Sequence, residues 1–288
     1  MDLPTLAVFR TVAAERSFSR AAVKLARTQP AVSLAVQRLE QALGESLIDR
    51  SGRQLRLTDA GQVVLDHARR FDNLRAELAQ ALAELRDKAT GRLVIGANES
   101  ATLYLLPLIS RYRRRYPRVK VQVRRSQSSK IPTEILEGDL EIGVISYDPD
   151  DPRLTSRIIY TDHLACVGSP KHRLARRRGV TIADLGMETF IGHIVISPYK
   201  EVVVREFERL KVPLHRDLEM PTVEAIRKMV QRNEGISFLP RMCVEEEIAQ
   251  GTLREIAVKG LNAERKIRLV HPAGRTLSHA ARAFLAQV

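Results

Sequence analysis

Thr28, Gln29, Pro30 and Ser33 open a stretch in which Val32, Val36, Leu39 and Leu43 recur at helical spacing. Thr28 or Gln29 suits the cap of such a helix, and Pro30 fits its first turn, where a missing N–H costs nothing. The polar side chains left outward at that end are of the kind that read base edges in the major groove of duplex DNA. Just upstream, Ala21, Ala22 and Leu25 give a second short helical pattern a narrow apolar face, small enough for two helices to cross closely around a turn at 26–29. Leu47 to Leu57 then reads as two short strands about a Ser51-Gly52 turn, with Arg50, Arg53 and Arg56 on the hairpin. Arginine on such a wing pairs with phosphates or enters a narrow minor groove.

A second group of donors follows residue 91. Ser100 and Thr102 come after a strand pattern and open a helix, and Ser126-Gln127-Ser128-Ser129 follows the next strand. Gly192-His193 ends another strand pattern, and Thr222 starts a helix after Pro221. Hydroxyls and backbone N–H groups at helix starts suit a carboxylate or other small anion, held in a cleft beyond the carboxyl ends of strands. No Gly-x-Ser-x-Gly elbow, zinc signature or phosphate loop is present, so no catalytic residue, metal site or cofactor is expected. A hydrolase using Ser100 with His193 is the enzymatic alternative, and it lacks a recognisable triad. Cys166 and Cys243 are too separated in sequence for a disulfide framework or a zinc site by spacing and read as buried thiols.

The elements that must position these groups are legible in outline. The 288 residues are 44% hydrophobic and 28% charged, enough for a small reader joined to a larger module. No apolar run approaches the roughly 20 residues that span a bilayer, and the amino terminus enters the helical pattern without a signal core, which places the chain in the cytoplasm. The missing signal also argues against the other alternative, a secreted solute-binding protein. Of the formal charge of +13, only +3 lies in residues 1–90 and +10 in residues 91–288. The clusters from Arg111 to Arg125 and from Lys171 to Arg178 are read as solvated faces, with attraction of DNA or of an anion as the alternative.

From Thr58 to about Lys88 one long helix is expected, with Val64, Phe71, Leu78 and Leu85 spaced by sevens and Leu74, Ala81 and Leu82 on the same stripe. A second copy of the helix is its economical partner, and about thirty residues make a rod of roughly 45 Å between two readers. The matching operator is an interrupted inverted repeat with half-sites about one helical turn apart. After a hinge at Ala89-Thr90-Gly91 the texture alternates. Strands are expected at 92–96, 119–123, 142–145, 164–167, 190–191, 236–239 and 267–270, and helices at 103–116, 131–137, 198–209 and 223–232.

The ordered run of Phe9, Ser17-Phe18, Ala21-Ala22, Leu25, Gln29-Pro30-Ala31-Val32-Ser33, Leu39-Glu40, Leu43-Gly44, Leu47, Arg50 and Leu57-Thr58-Asp59-Ala60-Gly61 resembles the amino-terminal signature of LysR-type transcriptional regulators. The resemblance implies an α/β protein: a winged helix-turn-helix over 1–58, a linker and dimerisation helix over 59–90, and a two-lobed, periplasmic-binding-protein-like effector module over 91–288. Its first lobe would comprise about 91–161 and 267–288, its second about 162–266. The resemblance further implies that Gln29, Pro30 and Ser33 approach DNA from the recognition helix and Arg50 and Arg53 from the wing, and that Ser100, Thr102, Ser128, His193 and Thr222 meet a small, anionic effector. Homodimers assembling to a homotetramer, and output through RNA polymerase, are implied as well. Two departures stand out. Leu34 replaces the arginine many members carry, so Arg38 or Arg27 compensates or a thymine methyl is read. A bulkier turn from Val230 to Gly235 would reshape a wall of the cleft.

Overall fold

Each of the first three helices begins on a side-chain cap that satisfies an otherwise orphaned N–H. In α1 (Leu3–Glu15) Asp2 accepts from the Thr5 amide at 2.8 Å, and in α2 (Phe18–Lys24) Ser17 accepts from Arg20. In α3 (Gln29–Leu43) Thr28, not Gln29, is the cap, and Pro30 sits in the first turn. Their apolar faces meet in a core built from Phe9, Val12, Ala21, Val32, Val36 and Leu39. Strands β1 (Ile48–Asp49) and β2 (Arg56–Leu57) pair antiparallel as the expected hairpin, and the Glu40 carboxylate ties them to α3 by accepting from the Leu47 and Ile48 amides. The computed structural model describes residues 2–49, 55–86, 90–194, 198–261 and 263–288, so the hairpin turn with Arg50 and Arg53 lies outside the described residues.

Thr58 caps the long α4 (Asp59–Arg86) as expected, accepting from the Gly61 amide at 2.9 Å. Gly61 has a specific reason to be glycine: a Cβ there would lie 2.0 Å from the Leu47 carbonyl oxygen. The stripe on α4 divides. Leu65 and Ala68 are buried in the same core and Val64 packs partly against it, whereas Phe71, Leu74, Leu78 and Leu82 are 44–60% exposed. These elements belong to one unit, Met1–Leu82 with Glu137–Asp139, and the remainder of the chain, Ala83–Leu136 with Leu140–Val288, forms another.

In the second unit the strands are β3 (Gly91–Ala97), β4 (Val119–Arg125), β5 (Ile142–Ile145), β6 (Leu154–Gly168), β7 (Val180–Thr181), β8 (Thr189–His193), β9 (His215–Met220), β10 (Ser237–Pro240), β11 (Arg254–Glu255), β12 (Val258–Lys259) and β13 (Glu264–Pro272). The helices are α5 (Glu99–Arg115), α6 (Ile131–Leu136), α7 (Ile182–Leu185), α8 (Pro198–Arg209), α9 (Val223–Gln231), α10 (Glu245–Ala249) and α11 (His279–Leu285). The main sheet runs β10-β6-β13-β5-β3-β4, with β11 also on β6. Within it β3 is parallel to both β4 and β5, and β8 pairs in parallel with β9 in a separate ribbon.

Of the four hydrophobic clusters among the described residues of this unit, two carry the helices that border the cavity described below. Leu93, Ile95, Leu105, Tyr112, Ile142, Leu269 and Phe284 form one, and Ala165, Val167, Ile191, Ile226, Val230 and Leu239 another. The 15-residue β6 joins them: Ile159 packs against the first while Ala165 and Val167 lie in the second. Sequence periodicity locates only the apolar end of this strand, because over residues 154–163 Ile158 and Tyr160 are exposed and Asp162 is buried, so no clean alternation marks a strand there. The turn after Val230 does not line the cavity described below. Gly235 instead lets the chain pass the Thr189 carbonyl, which a Cβ would approach to 2.5 Å.

The second basic cluster is not merely solvated. His172 is buried, with Nε2 3.2 Å from Glu188, and Arg177 pairs with Asp184 at 2.9 Å. Arg111, Arg113, Arg114 and Arg115 are exposed on α5, as expected.

Candidate functional site

The tip of α3 is the exposed surface the caps produce. Gln29 and Pro30 are exposed, Ser33 is half-buried on the next turn, and Leu34 and Arg38 are exposed along the same helix. A left-handed residue, Ala26 at φ 51°, turns the chain between α2 and α3, and Arg27 is exposed beside it. Convex, polar and rigidly held by the core beneath, this tip has the form of a groove-reading helix.

The second unit carries a cavity of about 1220 Å³. Its position follows from topology, since the carboxyl ends of the parallel strands β3, β4 and β5 and of β8 converge on it. Beyond β3 lie Asn98, Glu99 and Ser100; beyond β4, Ser126 to Ser129; beyond β5, Ser146 and Tyr147; and at the end of β8, Gly192 and His193. An apolar wall is formed by Phe190 and Phe238, stacked at 5.5 Å with Phe207 edge-on behind.

The polar groups are tied to one another. Asn98 caps α5 by accepting from the Ala101 amide at 2.8 Å, and its Nδ2 donates to Ser128 Oγ at 2.8 Å. The Tyr147 hydroxyl donates to the Ser128 carbonyl at 3.1 Å; burial pushes this phenol above its ordinary range, so it remains a donor. Glu99 accepts from the Val223 amide at 3.0 Å, and its other oxygen lies 3.6 Å from His193 Nε2 and 3.8 Å from the Arg125 guanidinium. Under the cavity Arg265 and Asp162, 4% and 1% exposed, face each other at 3.7 Å across β13 and β6. Burial raises the Asp162 carboxyl, opposed by the charge of Arg265.

Three of the five residues expected here, Ser100, Ser128 and His193, are on the wall. Thr102 and Thr222 are not: the Thr102 hydroxyl donates to the Asn98 carbonyl, and that of Thr222 caps α9 by accepting from the Ala225 amide. Arg125, Tyr147, Arg216 and Arg265 line the cavity and were missed. Arg125 closes β4, next to the serine run, so its position at a strand end is the available signal, although it also falls within the cluster read as a solvated face. Both cysteines are buried as free thiols; burial raises Cys166 and pushes Cys243 up to about 12. Among the described residues no group of acidic, His and Cys side chains is arranged to hold a metal, and no helix is long and apolar enough to cross a membrane.

Residues 3–62 match the family model of the bacterial regulatory helix-turn-helix proteins of the lysR family, and residues 86–288 that of the LysR substrate binding domain. A probable RuBisCO transcriptional regulator from Chlorokybus atmophyticus is 31% identical over 100% of this chain and 95% of its own length. Among solved structures, full-length CbnR complexed with its target DNA has a TM-score of 0.76 at 18% identity, covering 100% of this chain and 99% of that one. The regulatory domain of Synechocystis PCC6803 CcmR in complex with 2-PG has a TM-score of 0.61 at 22% identity, covering 68% of this chain and 94% of that one. With both family models matched in order along its length, the chain belongs to the LysR family of transcriptional regulators, a helix-turn-helix DNA-binding domain followed by an effector-binding domain.

Proposed function

We propose that this regulator acts in the cytoplasm on an interrupted inverted repeat of double-stranded DNA, as a homodimer that assembles to a homotetramer, and that its effector is a small phosphorylated or carboxylated anion. Gln29, Pro30 and Ser33 meet base edges, Arg38 meets the backbone, and Arg50 and Arg53 reach it from the wing. The exposed Phe71, Leu74, Leu78 and Leu82 on α4 support pairing through a second copy, since an apolar stripe of this kind otherwise faces water.

The observation that carries the effector reading is the cavity itself. It combines the hydroxyls of Ser100 and Ser128 with His193, Arg125 and Arg216, and it is walled by aromatic rings. Thr102 and Thr222 serve by fixing the helix ends that border it. The DNA complex of CbnR and the 2-PG complex of CcmR, read as 2-phosphoglycolate, support the two halves of this reading as fold analogies. Effector binding selects one arrangement of the α/β module, and the spacing of paired readers, and hence contact with RNA polymerase, follows its differential affinity for the two states.

The test is calorimetric titration of the full-length chain with 2-phosphoglycolate and a panel of related phosphorylated and carboxylated anions, alongside Ser128→Ala. At least one anion should bind, and the variant should weaken it by about 1 kcal/mol, the worth of one hydrogen bond. A panel that leaves the protein indifferent overturns the anionic-effector assignment.

A further inference from the structure

The cavity already holds one carboxylate, and it belongs to the protein. Glu99 is the first residue of α5, whose buried Ala101, Leu105 and Tyr112 belong to the first hydrophobic cluster. Its Oε1 accepts from the amide of Val223, the first residue of α9, whose buried face lies in the second cluster. The groups around it are those an incoming anion would use: a helix-start N–H, His193 from β8 and Arg125 from β4. The seat is nonetheless poorly filled. Oε2 is buried yet accepts no hydrogen bond among the described residues, and its two nitrogen neighbours, the His193 ring and the Arg125 guanidinium, stand at 3.6 and 3.8 Å, beyond hydrogen-bond distance.

We propose that Glu99 is a built-in competitor for the effector's anionic group: it occupies the anion seat in the free protein, clasps α5 to α9 through Val223, and is displaced when the effector binds. The idea rests on the anionic-effector reading above and specifies its regulation. A better-shaped anion satisfies the seat more fully than one carboxylate anchored to its own helix, and its binding releases the link between the two clusters. The energy available to the switch is the difference between these two occupancies. Glu99 thereby sets a threshold, since an anion that cannot outcompete it leaves the clasp closed.

Titration of the full-length wild type, Glu99→Gln and Glu99→Ala with inorganic phosphate tests this, together with hydrogen exchange at the first-turn amides of α9. The glutamine retains an oxygen for the Val223 amide, so it separates loss of charge from loss of the contact. Both variants should bind phosphate about tenfold more tightly than wild type, within the usual span of coupling between sites. The Val223 amide should exchange faster in Glu99→Ala until phosphate is added. Phosphate bound by all three proteins, but no more tightly by the variants, overturns the clasp and leaves the anionic effector standing. Phosphate bound by none of them, with all three folded, removes the anion seat and the effector class together.

Discussion

The two surfaces proposed for DNA and effector recognition are built in opposite ways. At the α3 tip, Thr28, Gln29, Pro30 and Ser33 are near neighbours in sequence, presented on a convex end by a cap and an underlying core. In the cavity, Glu99 meets Val223 and His193, and Asn98 meets Ser128, so the wall exists only once strands far apart in the chain have been laid side by side. A convex site made by one helix tolerates change in its side chains and fails when its support fails. A concave site made by several strand ends depends on the ties among its own polar groups.

The largest expected effect breaks the first surface alone. Gly61→Ala places a Cβ against the Leu47 carbonyl, and we expect a cost on the order of 3 kcal/mol to the helix-turn-helix unit. Operator binding in a gel shift should be lost while anion binding measured by calorimetry persists. Gln29→Ala sharpens the comparison from the other side: stability should be unchanged, with about 1–3 kcal/mol lost in operator affinity. An effect on the melting temperature instead would make Gln29 a structural residue.

A third prediction concerns the buried thiols. With Cys243 pushed up to about 12 in the folded state, its contribution to stability is fully present below about pH 9, its unperturbed value, and is lost as pH rises toward 12. Cys243→Ala should therefore be less sensitive to alkali, by on the order of 1–2 kcal/mol between pH 9 and 11 in denaturant melts. At neutral pH neither thiol should react with iodoacetamide in the native protein, as mass spectrometry would show; rapid labelling of either would contradict the buried-thiol reading. The smallest effects are at the caps. Thr222→Ala should cost about 1 kcal/mol and Thr28→Ala rather less, because the Thr28 bond is longer, 3.4 Å against 3.1 Å. Equal losses would mean that cap geometry does not set the difference.

The same contrast explains what could be read from the chain. Caps, hairpin and helix period are local, so α2 to α4 and most strands of the α/β module lie near their expected places, and α8 matches to the residue. The short elements β7, β11 and β12 are two residues each and carry no period to detect. For the cavity, the rule that ligands sit beyond strand ends found Ser100, Ser128 and His193, while hydroxyls of the same kind at Thr102 and Thr222 turned back to their own backbone. Sequence alone does not say whether a threonine at a helix start caps the helix or faces a cleft. Nor does it reveal Arg265, which β13 carries beneath the cavity opposite Asp162.

Quantitative footprinting of the full-length chain on the DNA upstream of its own gene, at low ionic strength, shows whether two α3 tips dock together on one duplex. Two protected half-sites centred about one helical turn apart, filled together as protein is added, are the predicted result. A single isolated protected site, or none, would contradict a regulator that reads DNA with paired α3 tips.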